Sequence, residues 1–328
     1  MRFLPLLVII CLLYASCSKE GKSGNQTNGT NSSYVIGKNR FTVNVDNDDR
    51  EYYVHVPSGY NSKNTIPVVI MLHGTSQNGL DMYENSGWKE VGDAETILTV
   101  YPSSWTYCVT ADGQQKTTTK WNSQPAEWSF CNGEKPRDDI KFFTSVVSEL
   151  KSKFNVDSKR IYLVGFSSGS QMAGKCTVDL SDVFAAIVES AGSLYSPTPS
   201  NPNLSPKRKL PIYFQKGNED YGPGGSGPAA PMGSLGKLLT TPDLPYLNGN
   251  LYDIALTNTK VFGLSPTFKL SGDSTTVVTA TYTSANAIPN NLFIVNLIKG
   301  LKHAYPNGSN HPYMAAQNNW AWLKQYSL

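Results

Sequence analysis

Residues 160–172 read RIYLVGFSSGSQM, which places Ser167 between Gly165 and Gly169 in a G-x-S-x-G pattern. An apolar, β-branched run leads in and helix-compatible residues follow. This predicts a serine on a tight strand-to-helix corner. Glycines suit such a corner because it leaves little room for side chains. A hydroxyl is a poor nucleophile until a neighbouring base takes its proton. Nucleophilic chemistry at Ser167 therefore requires a histidine and an acid elsewhere in the chain. Without them the same stretch is an ordinary strand, turn and helix cap.

Serine hydrolases built on this corner usually run nucleophile, acid, base along the chain. Downstream of Ser167 the histidines are His303 and His311. His303 follows the strand-like LFIVNLIKG in a loop suited to reach the end of a sheet, so it is the expected base. His311, just before the final helix, reads as a surface or capping residue. The acid should follow an intervening strand, and PIYFQKGNEDYG puts Glu219 and Asp220 there. Asp220 is the preferred partner for His303 Nδ1 and Glu219 the alternative, while Asp243 and Asp253 follow no strand. Two backbone N–H groups should receive the developing oxyanion. One is expected from Ser168, the other from Thr75 in the loop after His73-Gly74. His73 precedes the nucleophile in sequence and reads as structural.

The elements needed to position these groups are legible as patterns. RFTVNV and EYYVHV alternate in period two, an antiparallel start. PVVIMLH is a continuous apolar run, as in a strand buried on both faces, and ILTVYP, RIYLVGF, FAAIVES and PIYFQKG are further short apolar strands. The intervening DDIKFFTSVVSELKSKF has helical spacing with acids at its start. Such alternation points to an α/β layered fold with a mostly parallel central sheet and helices on both faces. TVVTATYT and LFIVNLIKG restore strand character late in the chain, and HPYMAAQNNWAWLKQY closes it as a helix. Residues Tyr221–Thr259 are Gly/Pro-rich and read as irregular.

The 328 residues carry a net charge of +3, with 16% charged side chains and no basic block, so nucleic acid is not an expected partner. The first residues, MRFLPLLVIICLLYASC, have a short apolar run like a signal-peptide core. Ala15-Ser16-Cys17 resembles a lipobox. The expected organisation is a lipoprotein-type signal peptide over 1–17, a polar tether over 18–33 and one catalytic domain over 34–328. The protein is then exported, either as a periplasmic or cell-surface lipoprotein that touches a membrane only through a lipid on Cys17 or, as the alternative, secreted after cleavage at small residues. The tether reaches about 20 Å. Of Cys108, Cys131 and Cys176, an oxidising compartment favours one disulfide and one thiol, with the pairing open.

LHGTSQN, YPSSW, RDDIKFF, VDSKRIYLVGFSSGSQMA, FAAIVESAG, KGNED and GLKHAYPNG follow one another in this chain. The series resembles the exported esterases related to feruloyl esterases and polyhydroxybutyrate depolymerases, of the carbohydrate esterase family one type. The resemblance runs from roughly Phe41 to Tyr326 and implies an α/β-hydrolase fold. It also implies Ser167 as nucleophile, Asp220 as acid, His303 as base, and Thr75 and Ser168 as oxyanion donors, with no cofactor or metal. Feruloyl or acetyl esters of plant polysaccharide are the implied substrates. A hydroxyalkanoate polyester, or a catalytically silent glycan-binding module, are the alternatives. Two departures stand out. Lys216 occupies a position where the family often has histidine, and the 221–259 excursion is long. Trp105, Tyr107, Trp121 and Trp128 suit either an aromatic wall or lid packing. Asp138 and Asp139 read as helix N-terminal acids. GPGGSG at 222–227 matches G-x-G-x-x-G but is interrupted by prolines, so it reads as loop.

Overall fold

Period-two alternation produces the first hairpin, in which β1 (Gly37–Val45) and β2 (Asp48–Val56) pair antiparallel. Asp46 and Asn47 make the turn with φ of 54° and 71°. Two left-handed residues are what a tight hairpin with the natural strand twist requires. The computed structural model describes residues 34–111, 113–124, 128–242, 244, 247 and 249–328. The expected signal peptide, tether and Cys17, and the alternative acid Asp243, lie outside the described residues.

The third strand, β3 (Ile66–Leu72), is buried at every position. Val68, Ile70 and Leu72 enter one core, whereas Val69 and Met71 enter the other. An unbroken apolar run is thus the signature of a strand covered on both faces. Helices α1 (Gly79–Asn85) and α2 (Trp88–Glu95) lead to β4 (Leu98–Pro102), and a hairpin of β5 (Trp105–Ala111) and β6 (Gln114–Lys120) forms its own small sheet. Helix α3 (Asp139–Lys153), β7 (Val156–Phe166) and α4 (Ser168–Asp179) follow, then β8 (Ile187–Ser190) and β9 (Ile212–Gly217). After α5 (Leu235–Thr240) and α6 (Leu251–Phe262) the chain ends with β10 (Leu264–Asp273), β11 (Val277–Ser284), β12 (Leu292–Ile298) and α7 (Ala315–Leu323).

The main sheet has ten strands in the order β1-β2-β4-β3-β7-β8-β9-β12-β11-β10. From β4 to β12 neighbours run parallel. Antiparallel pairs close both edges. One core, with Phe142, Phe143, Met172 and Phe262, sits under α3, α4, α5 and α6; the other, with Met82, Trp88 and Trp320, sits under α1, α2 and α7. Both faces of the sheet are covered, as the sequence predicts, and the fold adds a second antiparallel hairpin at the far edge.

Asp138 caps α3, accepting from Lys141 N at 2.9 Å. Asp139 turns inward instead and meets Arg50 of β2 at 2.6 Å, both side chains almost wholly buried. One segment differs from expectation: the 221–259 excursion, expected to be irregular, carries α5 and the start of α6. Two segments without a sequence pattern are strands, in the β5–β6 hairpin and in β10 on the far edge. Cys108 and Cys131 form a disulfide and Cys176 is a buried thiol in α4. No helix among the described residues is long and apolar enough to cross a membrane.

Candidate active site

β7 ends at Phe166 and α4 begins at Ser168, so Ser167 alone makes the corner, with φ 54° and ψ −119°. This backbone region is costly for any residue with a Cβ, typically about 1–3 kcal/mol. Its surroundings hold it there. Ser167 N–H donates to Ser190 O at the end of β8 (2.8 Å), and Ser167 O accepts from Ser170 N and Gln171 N. The flanking glycines are forced by close approach. A Cβ on Gly165 would lie 2.2 Å from the Gly169 carbonyl oxygen, and one on Gly169 would lie 2.4 Å from that of His73. The serine hydroxyl makes no capping bond to α4 and is free for another partner.

That partner is His303, whose Nε2 lies 2.9 Å from Ser167 Oγ. On the other side of the ring Nδ1 lies 2.9 Å from Asp220 Oδ1. With Asp220 ionised, Nδ1 carries the proton and Nε2 is the free acceptor, so the Ser167 hydroxyl donates to it. Asp220 is fully buried, while Glu219 beside it is only half-buried and takes no part. Burial works to raise the Asp220 carboxyl, but the His303 hydrogen bond, the Lys216 charge and the Gly222 N–H together hold it below the ordinary aspartate value. The loops carrying acid and base are stitched together. Asn218 N donates to Ile298 O, Glu219 N to Leu301 O, and Gly300 N to Asn218 Oδ1. Beyond the base, Tyr305 OH accepts from Trp88 Nε1 and Asn319 Nδ2.

The backbone N–H groups of Thr75 and Ser168 have no acceptor among the described residues. Ser168 N–H opens α4, where the helix leaves donors unpaired and favours negative charge. The Thr75 loop is fixed from both sides. Gly74 N donates to Gln77 Oε1 at 2.9 Å, Ser76 N donates to Thr119 O of β6 at 3.0 Å, and Thr119 Oγ1 donates to Gln77 O. Such a serine, relay and pair of unengaged donors can carry out acyl transfer.

Residues 50–201 match the family model described as Esterase PHB depolymerase. That stretch includes Ser167 and stops short of Asp220 and His303. Among curated proteins, a bifunctional acetylxylan esterase/xylanase of Neocallimastix patriciarum is 26% identical over 175 residues, covering 52% of this chain and 21% of its own length. Poly(3-hydroxyalkanoate) depolymerase C of Paucimonas lemoignei is 28% identical over 150 residues, covering 44% and 32%. The match to these relatives thus spans a third of their length or less. An acetyl xylan esterase structure from Aspergillus awamori superposes with a TM-score of 0.55 at 14% identity, covering 87% of this chain and 99% of that one. The chain has the α/β-hydrolase fold.

In this fold His73 is structural, as its position suggests. It is buried, donates from Nδ1 to Gly74 O and accepts Ser104 N–H at Nε2, and burial lowers its pKa to about 4. His311 binds Lys299 O and Tyr313 N, away from the relay. Asp253 lies on α6, where it lines a cavity of about 320 Å³ together with Lys216 and Gln171. Of the four aromatics, Tyr107 and Trp121 are fully buried and Trp105 stacks with Arg137. Trp128 lines a groove of about 400 Å³ that also contains Thr75, Ser76 and Lys116. Asn218 and Gln77 escaped the sequence reading, because neither belongs to a pattern and each acts by bridging two loops.

Proposed function

We propose that this protein is an exported serine esterase that cleaves carboxylic esters through an acyl-enzyme. The reading rests above all on the unbroken pair of hydrogen bonds from the Ser167 hydroxyl through His303 to Asp220. Ser167 Oγ attacks the ester carbonyl carbon while His303 Nε2 takes its proton. Asp220 stabilises the resulting imidazolium. The N–H groups of Thr75 and Ser168 receive the oxyanion. His303 then gives its proton to the departing alkoxide, the alcohol leaves, and a water repeats the sequence to release the acid and restore Ser167.

Acetyl or feruloyl esters carried on plant polysaccharide are the substrates we favour, because acetylxylan and feruloyl esterases recur among the relatives. The poly(3-hydroxyalkanoate) depolymerase relative supports a polyester as the second reading. Export is part of the proposal and is supported by the Cys108–Cys131 disulfide, a bond of oxidising compartments. Initial rates on methyl ferulate, acetylated xylan and a hydroxybutyrate oligomer test the assignment. One of the three should be turned over, and Ser167→Ala should lose at least about 10⁴-fold. Hydrolysis by Ser167→Ala at the parental rate contradicts it. Sugar binding without turnover of any ester points instead to a silent binding module.

A further inference from the structure

Only one oxygen of the Asp220 carboxylate serves the relay. Oδ1 accepts from His303 Nδ1 and from Gly222 N, each at 2.9 Å. Oδ2 is buried without a hydrogen bond among the described residues, and the charge facing it is Lys216 Nζ at 3.4 Å. Lys216 stands on β9, four residues before the acid, with a side chain 4% exposed. Lysine is almost never this buried unless it is paired. An ammonium deprived of water is costly, and a facing carboxylate offsets part of that cost. Burial lowers the Lys216 pKa and the Asp220 charge opposes the fall. The two side chains face each other in a buried setting, where charge interactions carry further than in water.

The other ionisable groups nearby have other engagements. Glu189 on β8 is turned to Ser193, and Asp253 on α6 lines the cavity that Lys216 also borders. Glu219 is half-buried in the turn before the acid, and Lys302, beside His303, is exposed. Lys216 is therefore the one cation within ion-pair distance of the acid's second oxygen among the described residues. Such a cation has two physical consequences. It resists rotation of the carboxylate, so Oδ1 stays on Nδ1. It also cancels part of the negative charge with which Asp220 would otherwise stabilise an imidazolium.

We propose that Lys216 is a positioning residue of the relay, holding Asp220 by Oδ2 and setting the pH at which Ser167 becomes competent. The inference rests on the esterase reading. The test is the pH dependence of kcat/KM for 4-nitrophenyl acetate in the parent, Lys216→Met, Lys216→Gln and Lys216→Arg, with folding checked by circular dichroism. The neutral variants should move the midpoint of the acidic limb upward by about one pH unit. They should also lose about tenfold in plateau kcat, with KM within about twofold. Lys216→Arg, which keeps the charge, should keep the parental limb. A residue needed only for packing would lower stability without moving that limb. A folded neutral variant with the parental midpoint overturns the inference, and so does failure of both neutral variants to fold, since Lys216 would then serve stability alone. A parent that neither cleaves the ester nor reacts with a phosphonate overturns the esterase reading itself.

Discussion

Ser167 sits in a backbone region that a side chain resists, and the neighbouring fold keeps it there: Gly165 and Gly169 admit the close approach, and Ser190 O holds its N–H. That strain points the hydroxyl at His303 rather than at the end of α4, where a serine would normally cap. Removing the Cβ should relax it. Ser167→Gly is expected to be more stable than the parent by about 1 kcal/mol while losing esterase activity, a trade typical of strained active sites. Guanidinium unfolding of the two proteins measures the difference. A Ser167→Gly variant less stable than the parent would show that the corner is unstrained. The choice between Glu219 and Asp220 could not be read from adjacency alone. It depends on the Asp220 N to Gly217 O turn, which carries one carboxylate inward and leaves its neighbour at the surface.

At the scale of elements, what was legible depended on burial. β3 and the second half of β7, residues 161–166, announce themselves because both faces are covered and nearly every residue there is apolar. The β5–β6 hairpin did not, because β6 reads QQKTTTK and its first four residues are exposed. Its order comes from cross-strand pairing and from the Cys108–Cys131 bond, neither of which has a periodicity. β10 was hidden for a similar reason: it is a largely exposed edge strand containing Pro266, tolerated only at an edge. Helix α6 was obscured by the Gly/Pro-rich run before it, although Asn250 caps it and Leu251, Ala255, Val261 and Phe262 form its buried side. The hairpin matters for chemistry because β6 holds the Thr75 loop through Thr119. Opening the disulfide, which closes a loop with a sequence separation of 23, should cost about 3 kcal/mol. Cys108→Ser/Cys131→Ser should show this in denaturant unfolding and should also lower kcat. Unchanged stability and kcat would mean that the hairpin holds itself and the loop without the bond.

For the whole molecule, the parallel sheet delivers residues 75, 167, 220 and 303 to the same edge because each follows the carboxyl end of a parallel strand, β3, β7, β9 and β12. The same packing leaves a charge problem in the interior. Glu189 on β8 is fully buried, and burial pushes its pKa up to about 8, with the hydrogen bond from Ser193 only partly opposing. The unfolded chain releases that proton near 4.5. Between these values the folded protein holds a proton that the unfolded one has lost, so global stability should fall as pH rises from about 4.5 to about 8. Glu189→Gln removes that slope and should be more stable than the parent at pH 8 by on the order of a few kcal/mol. Thermal unfolding across this range checks it, and parallel curves for parent and variant would contradict the prediction.

A Ser167 hydroxyl activated by its histidine and acid is unusually nucleophilic. Intact-mass analysis after brief treatment with a fluorophosphonate, followed by peptide mapping, tests this most directly. A single phosphonyl adduct is expected on Ser167, absent in Ser167→Ala and strongly slowed in His303→Ala. No adduct, or an adduct on another residue with Ser167 unmodified, would contradict it.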